Sequence, residues 1–358
     1  MSTSLRHVAA LAATTLALVG AVSVAAPAQA VKPTPGTSTG TARIFMVNPV
    51  QSTGDESLTD DKDADSAVPA AAYATVSLRN LDGSGYLRGK WVTVQSATGT
   101  PAFSPTNAFF YTRHDDRFEQ VMAYFWVDQA QEYLRSLGFD GVRSRAIVDQ
   151  PLDVKIDQFG GDNSYQTDKP YRLRFGKGGV DDAEDAEVIV HEYGHAVHQS
   201  QVPGFGTSVQ AGSIGEAWGD YLAVTVGLDA AAANGWPVLA PADCPMDWDS
   251  TSYTAGPIHC IRSFHTGMTV ADTNGEVHHD GQIWSQGLWE IRQGYAALGL
   301  SSRAWDTTLV QSQFDYAPDT SFDAAASATY RVALARDGQA AAALVRDRFA
   351  ARGIVVAP

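Results

Sequence analysis

The sequence predicts an α+β fold, with a β-rich N-terminal lobe over residues 43–182 and a mainly α-helical C-terminal lobe over residues 183–358. Two observations carry the division. Between residues 43 and 112, short apolar runs such as Ala74–Leu78 and Lys90–Val94 alternate with turn residues, a pattern expected of antiparallel strands. After Asp181 the apolar residues recur at helical spacing to the end of the chain. A crevice between two such lobes is a natural place for a functional site.

Taken in order, residues 1–30 read as a secretory signal peptide. Arg6 and His7 precede an apolar run from Val8 to about Ala26, which exits through Ala28-Gln29-Ala30. A membrane anchor is the alternative, but Thr14, Thr15, Gly20 and Ser23 dilute the run. No cysteine follows the cleavage site, so a lipid anchor is not expected, and no later segment is apolar enough to span a membrane. Residues 31–42, rich in Pro, Thr and Gly, read as a flexible leader. The acidic stretch from Asp55 to Asp65 reads as a solvated loop, with calcium binding the less favoured alternative. Phe118, Val121, Met122, Phe125, Tyr133, Leu134 and Leu137 mark one face of a long helix over 116–137. A further strand, Tyr171–Phe175, runs into the turn Gly176–Gly179, and helices are expected over 183–200, 212–226 and 282–297.

A hydrophobic fraction of 44% supplies a sizeable core, and the formal charge of −15 argues against a nucleic-acid partner, which needs a basic surface. A secreted, extracellular monomer is the expectation. The two cysteines, Cys244 and Cys260, are expected to form a disulfide in an oxidising compartment.

The strongest chemical signal is His191-Glu192-Tyr193-Gly194-His195, inside a helical pattern. Imidazoles four apart share a helix face and can reach one ion, with Glu192 beside them to hold a water. Nitrogen-rich ligation with an open position points to zinc. The third ligand is read as Glu216, which opens Glu216-Ala-Trp-Gly-Asp220, with 20 residues separating it from His195. Asp220, one turn on, is placed to accept the outer N–H of His191 and fix its tautomer. A third histidine six residues after the second would mark a different zinc class, but that position holds Gln201. His198 is read as a polar residue on the helix flank, and His114, His259 and His265 as structural.

These motifs together resemble the fungalysin branch of the thermolysin-like zinc peptidases, the gluzincins. The resemblance spans about 110–298 and implies a thermolysin-like fold with the zinc site in the cleft between the lobes. Val277-His278-His279-Asp280-Gly281 resembles the segment whose histidine stabilises the oxyanion; His278 is favoured over His279. Asp162-Asn163-Ser164-Tyr165 resembles the edge strand that binds substrate backbone, giving Asn163 and Ser164 that role. Val188, one turn before His191, is expected to line an apolar pocket for the residue after the scissile bond. The tyrosine that assists the oxyanion in the thermolysin branch has no counterpart in Pro203–Gly206, and the fungalysin branch manages without it. The family's calcium-site acid stands here as Glu187 instead of Asp, so calcium is an open expectation beside one catalytic zinc.

The implied activity is endopeptidase hydrolysis of peptide or protein substrates, with Glu192 as general base. An aminopeptidase of the same class would need a Gly-x-Met-Glu-Asn motif, which does not occur. The alternative from another class is a non-catalytic secreted metal-binding or adhesion protein on a peptidase scaffold. Because the leader is too short to fold as an inhibitory domain, signal cleavage alone is expected to yield competent enzyme.

Overall fold

A computed structural model describes residues 36–96, 99–168, 170–252, 254 and 259–357. The expected signal peptide and residues 31–35 of the expected leader lie outside the described residues. The remainder of the leader corrects the expectation of flexibility. Strand β1 runs Ser38–Phe45, pairing antiparallel with β2 (Tyr73–Leu81) and parallel with β4 (Ala108–Phe109). Thr39 and Thr41 suit an extended backbone. A Cβ at position 40 would collide with Asn107 and Leu81, so Gly40 permits the close pairing.

A second sheet has the order β3 (Val92–Ser96), β5 (Leu152–Ile156), β7 (Tyr171–Phe175), β6 (Ser164–Asp168). Its β3–β5 and β5–β7 pairs are parallel and only β6–β7 is antiparallel, so the sheets are mixed where antiparallel strands were expected. The alternation was legible all the same: Ala74, Val76 and Leu78 of β2, and Leu152, Val154 and Ile156 of β5, all point inward. Strand β6 forms an edge of its sheet.

A five-residue helix, α1, spans Pro49–Thr53. Helix α2 (Arg117–Ser136) packs against β1, β2, β3 and β5 as well as the helices that follow. The expectation of one apolar face was too narrow, because α2 is enclosed on most sides. Its polar residues Glu119, Gln120, Asp128 and Gln131 are also buried. The acidic stretch is likewise not wholly solvated. The guanidinium of Arg113, buried against Glu184 at 2.8 Å, reaches Asp60 at 2.5 Å and Asp63 at 3.5 Å, tying that loop to the interior.

Helices α3 (Ala186–Gln201), α4 (Val209–Ala233) and α5 (Val277–Ala297) carry most of the site. Asp185 caps α3 by accepting from Glu187 N–H, and Ser208 caps α4 by accepting from Ala211 N–H. Helix α5 begins five residues earlier than expected, because Glu276 accepts from the N–H groups of both His278 and His279. Helices α6 (Ser302–Gln313), α7 (Phe322–Asp337) and α8 (Gln339–Ala351) complete the chain. Asp306 of α6 accepts from Tyr133 of α2, Tyr221 of α4 and Arg292 of α5, a buried polar junction that fixes four helices together. One hydrophobic core runs from Ala42 to Ile354 through sheets and helices alike. No helix among the described residues is long and apolar enough to cross a membrane.

Candidate metal centre and substrate cleft

Glycine contacts set the geometry where α3, α4 and α5 cross. A Cβ on Gly194 would lie 2.9 Å from Gly219 Cα, and one on Gly219 would lie 2.5 Å from His191 Nδ1. Two mid-helix glycines thus let α3 and α4 approach closely enough for Glu216 to meet both imidazoles. Trp218 Nε1 secures the crossing by donating to Gly194 O at 3.1 Å. Gly281 does the same for α5: a Cβ there would sit 2.9 Å from Ser213 O and 3.3 Å from Glu216 Cβ. A glycine inside a helix costs about 1 kcal/mol relative to alanine, so Gly194 and Gly219 were a readable hint of close contact.

His191 Nε2 lies 3.1 Å from His195 Nε2, and the Glu216 oxygens lie 3.3 Å and 3.6 Å from these two nitrogens. The ligand atoms of His191, Glu192 and His195 fall within 4.8 Å of one another. Two imidazole nitrogens facing each other at this distance repel unless a proton or cation lies between them. Glu192 Oε2, buried, accepts no hydrogen bond among the described residues. Two imidazoles, one carboxylate and an adjacent unsatisfied acid fit a zinc ion with one open position.

His191 Nδ1 is 2.9 Å from Asp220 Oδ1, the arrangement that fixes a ligand's tautomer. Arg262, which nothing in the sequence singled out, grips Asp220 through Nε and one terminal nitrogen at 2.6 Å each. The disulfide between Cys244 and Cys260 ends two residues before Arg262 and anchors this segment. Burial opposes ionisation of Glu216, but His195, His191 and Arg262 outweigh it and hold the carboxyl below the usual range. Burial is likewise outweighed at Asp220, which Arg262 and His191 hold at about 2. Burial pushes Glu192 up to about 7 against the pull of His191.

The imidazole cluster lines a cleft of about 370 Å³. His278 borders it, with Nε2 3.2 Å from Glu216 Oε2 and Nδ1 2.6 Å from Glu276. His279 turns instead to Asp280 at 3.1 Å. Asn163, Ser164 and Val188 all border the same cleft. Three further acids there, Asp162, Asp182 and Asp249, were given no role from the sequence, and they replace part of the apolar surround expected near Val188.

His198 is a correction. It is buried, tilted against Phe205 at a ring distance of 4.3 Å and stacked on Trp218 at 5.6 Å, and is not on a polar flank. Burial holds it well below the usual imidazole range, so it packs as a neutral ring. Glu187, the residue at the calcium-acid position, is buried beside Asp185 and Asp247, and its Oε2 accepts from Met246 N–H at 2.6 Å.

Known proteins resemble this chain to different extents. The extracellular metalloproteinase mep of Aspergillus niger is 28% identical over 123 residues, 31% of this chain and 18% of that protein. The protein of the same name from Aspergillus terreus is 27% identical over 125 residues, with the same shares. The chain therefore spans only 18% of the length of these curated relatives. Among solved structures, the precursor of protealysin, a metalloproteinase from Serratia proteamaculans, superposes with a TM-score of 0.53 at 16% identity. That match covers 77% of this chain and 92% of the other, and bears out the expected α+β, thermolysin-like architecture. The sequence model of the fungalysin metallopeptidases matches residues 83–313, well over half of the chain and more than the stretch that first suggested the likeness, and the chain belongs to that family.

Proposed function

We propose that this protein is a secreted zinc endopeptidase in which Glu192 is the general base. The observation that carries the reading is the meeting of His191, His195 and Glu216 beside a buried, unsatisfied Glu192 in the cleft. His191, His195 and Glu216 would hold the ion, and Asp220 would orient His191. When bound, zinc supplies a positive centre that polarises the scissile carbonyl and acidifies the neighbouring water. Glu192 takes a proton from the attacking water and passes it to the leaving amine. His278 donates to the developing oxyanion. The substrate lies extended along β6, pairing with Asn163 and the backbone at Ser164, with Val188 beside the residue after the scissile bond.

Export is supported by the signal-like N-terminus and by relatives named as extracellular. Calcium enters as a structural cation at Asp116, Glu119 and Asp157, whose oxygens lie within 4.8 Å of one another. Glu119 is 1% exposed and its Oε2 accepts no hydrogen bond among the described residues. A melting temperature unchanged by calcium would remove that assignment.

Casein hydrolysis by purified protein, before chelation, after it, and after zinc is restored, tests the main reading. Activity should vanish with the chelator and return with zinc. Folded, zinc-loaded protein that cleaves neither casein nor a peptide library would transfer the reading to a non-catalytic binding protein on the same scaffold.

A further inference from the structure

We propose that the acidic end of the cleft selects substrates carrying lysine or arginine on the residue after the scissile bond, an inference that rests on the peptidase reading above. Carboxylate oxygens of Asp162, Asp182 and Asp249 approach within 4.8 Å of one another, and all three residues line the same cavity as His191, Glu192 and His195. The decisive atom is Asp182 Oδ1. Asp182 is 2% exposed, its Oδ2 accepts from Ser164 Oγ, and its Oδ1 accepts no hydrogen bond among the described residues. A buried carboxylate oxygen without a donor is costly, and the cost falls when a ligand brings an N–H to it.

The backbone is shaped around this group. Gly179 adopts φ +73°, and a Cβ there would run into Asp162 Oδ2 and the Ser252 side chain. A Cβ on Gly178 would strike the backbone of Gly161 and Asp162. The Gly176–Gly179 turn is therefore glycine-rich for a reason beyond turning: it leaves the Asp162 carboxylate the space it occupies. Neither Asp162 nor Asp182 takes part in an ion pair among the described residues. Burial first, then Asp162 and Glu192, push Asp182 up to about 8, and an incoming cation would favour its ionised form.

Val188, Met246 and Ile261 contribute apolar surface to the same cavity. Apolar walls with acids among them match a side chain that has an aliphatic stem and a cationic head. They suit a bare divalent ion less well, since an ion gains nothing from hydrocarbon walls, and Ser164 already occupies one Asp182 oxygen. Guanidinium and ammonium groups both supply the donor that Asp182 Oδ1 lacks.

Internally quenched peptides that differ only at the residue after the cleaved bond (Lys, Arg, Leu or Glu) test the proposal with full-length, zinc-loaded protein. Mass spectrometry of the products fixes the bond. The lysine and arginine peptides should exceed the leucine peptide in kcat/KM by about ten- to hundredfold, the range for one charge-assisted hydrogen bond in a desolvated site. Asp162→Asn and Asp182→Asn should each reduce the Lys/Leu ratio about tenfold. A ratio taken within each variant cancels any loss of folded protein, and exposed Asp162 provides a second reading if Asp182→Asn folds poorly. Leucine cleaved as fast as lysine by the wild type, or a ratio unmoved in both variants, overturns this proposal alone. So does calorimetry in which calcium binds stoichiometrically to the wild type and not to Asp182→Asn. Failure to cleave any of the four peptides, or casein, overturns the peptidase reading and this one with it.

Discussion

At the imidazole end of the cleft, Glu216 and Asp220 face His191, His195 and Arg262, and both carboxyls lie below the usual carboxylate range despite burial. At the other end, burial raises Asp182 to about 8, and partial desolvation raises Asp162, at the exposed rim, to about 6. All four are carboxylic acids, and Glu216, Asp162 and Asp182 line the same cavity. What differs is whether positive charge is built into the protein or left for a ligand to bring. The first end keeps Glu216 and Asp220 ionised, as their proposed roles of ligand and orienting group require. At the second, the proposed substrate cation would favour the ionised form of acids that burial disfavours.

Breaking the imidazole end should give the largest effect. Glu216→Ala removes the proposed third ligand, so purified protein should lose its zinc and hydrolysis should fall to background. One zinc per chain at wild-type affinity, measured by competition with a chelator, would require a different third ligand. Next comes His278→Ala, expected to lower turnover about 10²-fold with zinc content unchanged, the scale for one oxyanion donor. His279→Ala should be milder because that ring turns to Asp280. The opposite ranking would move the role one residue along. Asp220→Asn keeps the size of the side chain but loses its charge, and should weaken zinc binding by about 10- to 100-fold, as for other groups behind a metal ligand. A zinc affinity equal to wild type would mean that Arg262 and Asp220 orient nothing. The smallest effect belongs to the opposite end: Asp162→Asn should leave zinc affinity unchanged and shift stability by no more than about 0.5 kcal/mol, as for an exposed site. A large loss in urea unfolding would make that acid structural and weaken the comparison.

Much of this was legible in the sequence, for identifiable reasons. The pairs His191 with His195 and Glu216 with Asp220 follow from helical spacing, because residues four apart share a face whatever the tertiary context, whereas bringing Glu216 to the histidines takes the crossing of α3 and α4. The strands of the β-rich part announced themselves by alternation, but not by direction. Parallel pairing of β3 with β5 is a long-range choice that no local run of residues records. Helix α2 looked one-sided because buried Glu119, Gln120 and Asp128 read as solvent-facing until their partners are known. Arg262 was invisible because its meaning lies in a guanidinium meeting Asp220 across 42 residues of chain. Asp162, Asp182 and Asp249 come from three separate segments and converge only in the folded cleft. Gly194 and Gly219 were visible as helix-interior glycines, yet only the crossing of α3 and α4 shows what their missing side chains make room for.

The central claim, that the cleft hydrolyses peptide bonds with Glu192 as the proton carrier, is tested most directly by Glu192→Gln measured for zinc content and casein hydrolysis on the same preparation. The substitution preserves the shape of a side chain that makes no ion pair among the described residues, so fold and metal should survive. The account predicts one zinc per chain, an unchanged circular dichroism spectrum, and a rate reduced by about 10²-fold or more. Zinc-loaded Glu192→Gln that retains more than about a tenth of the wild-type rate would contradict it, since a general base contributes about 10²-fold at the least.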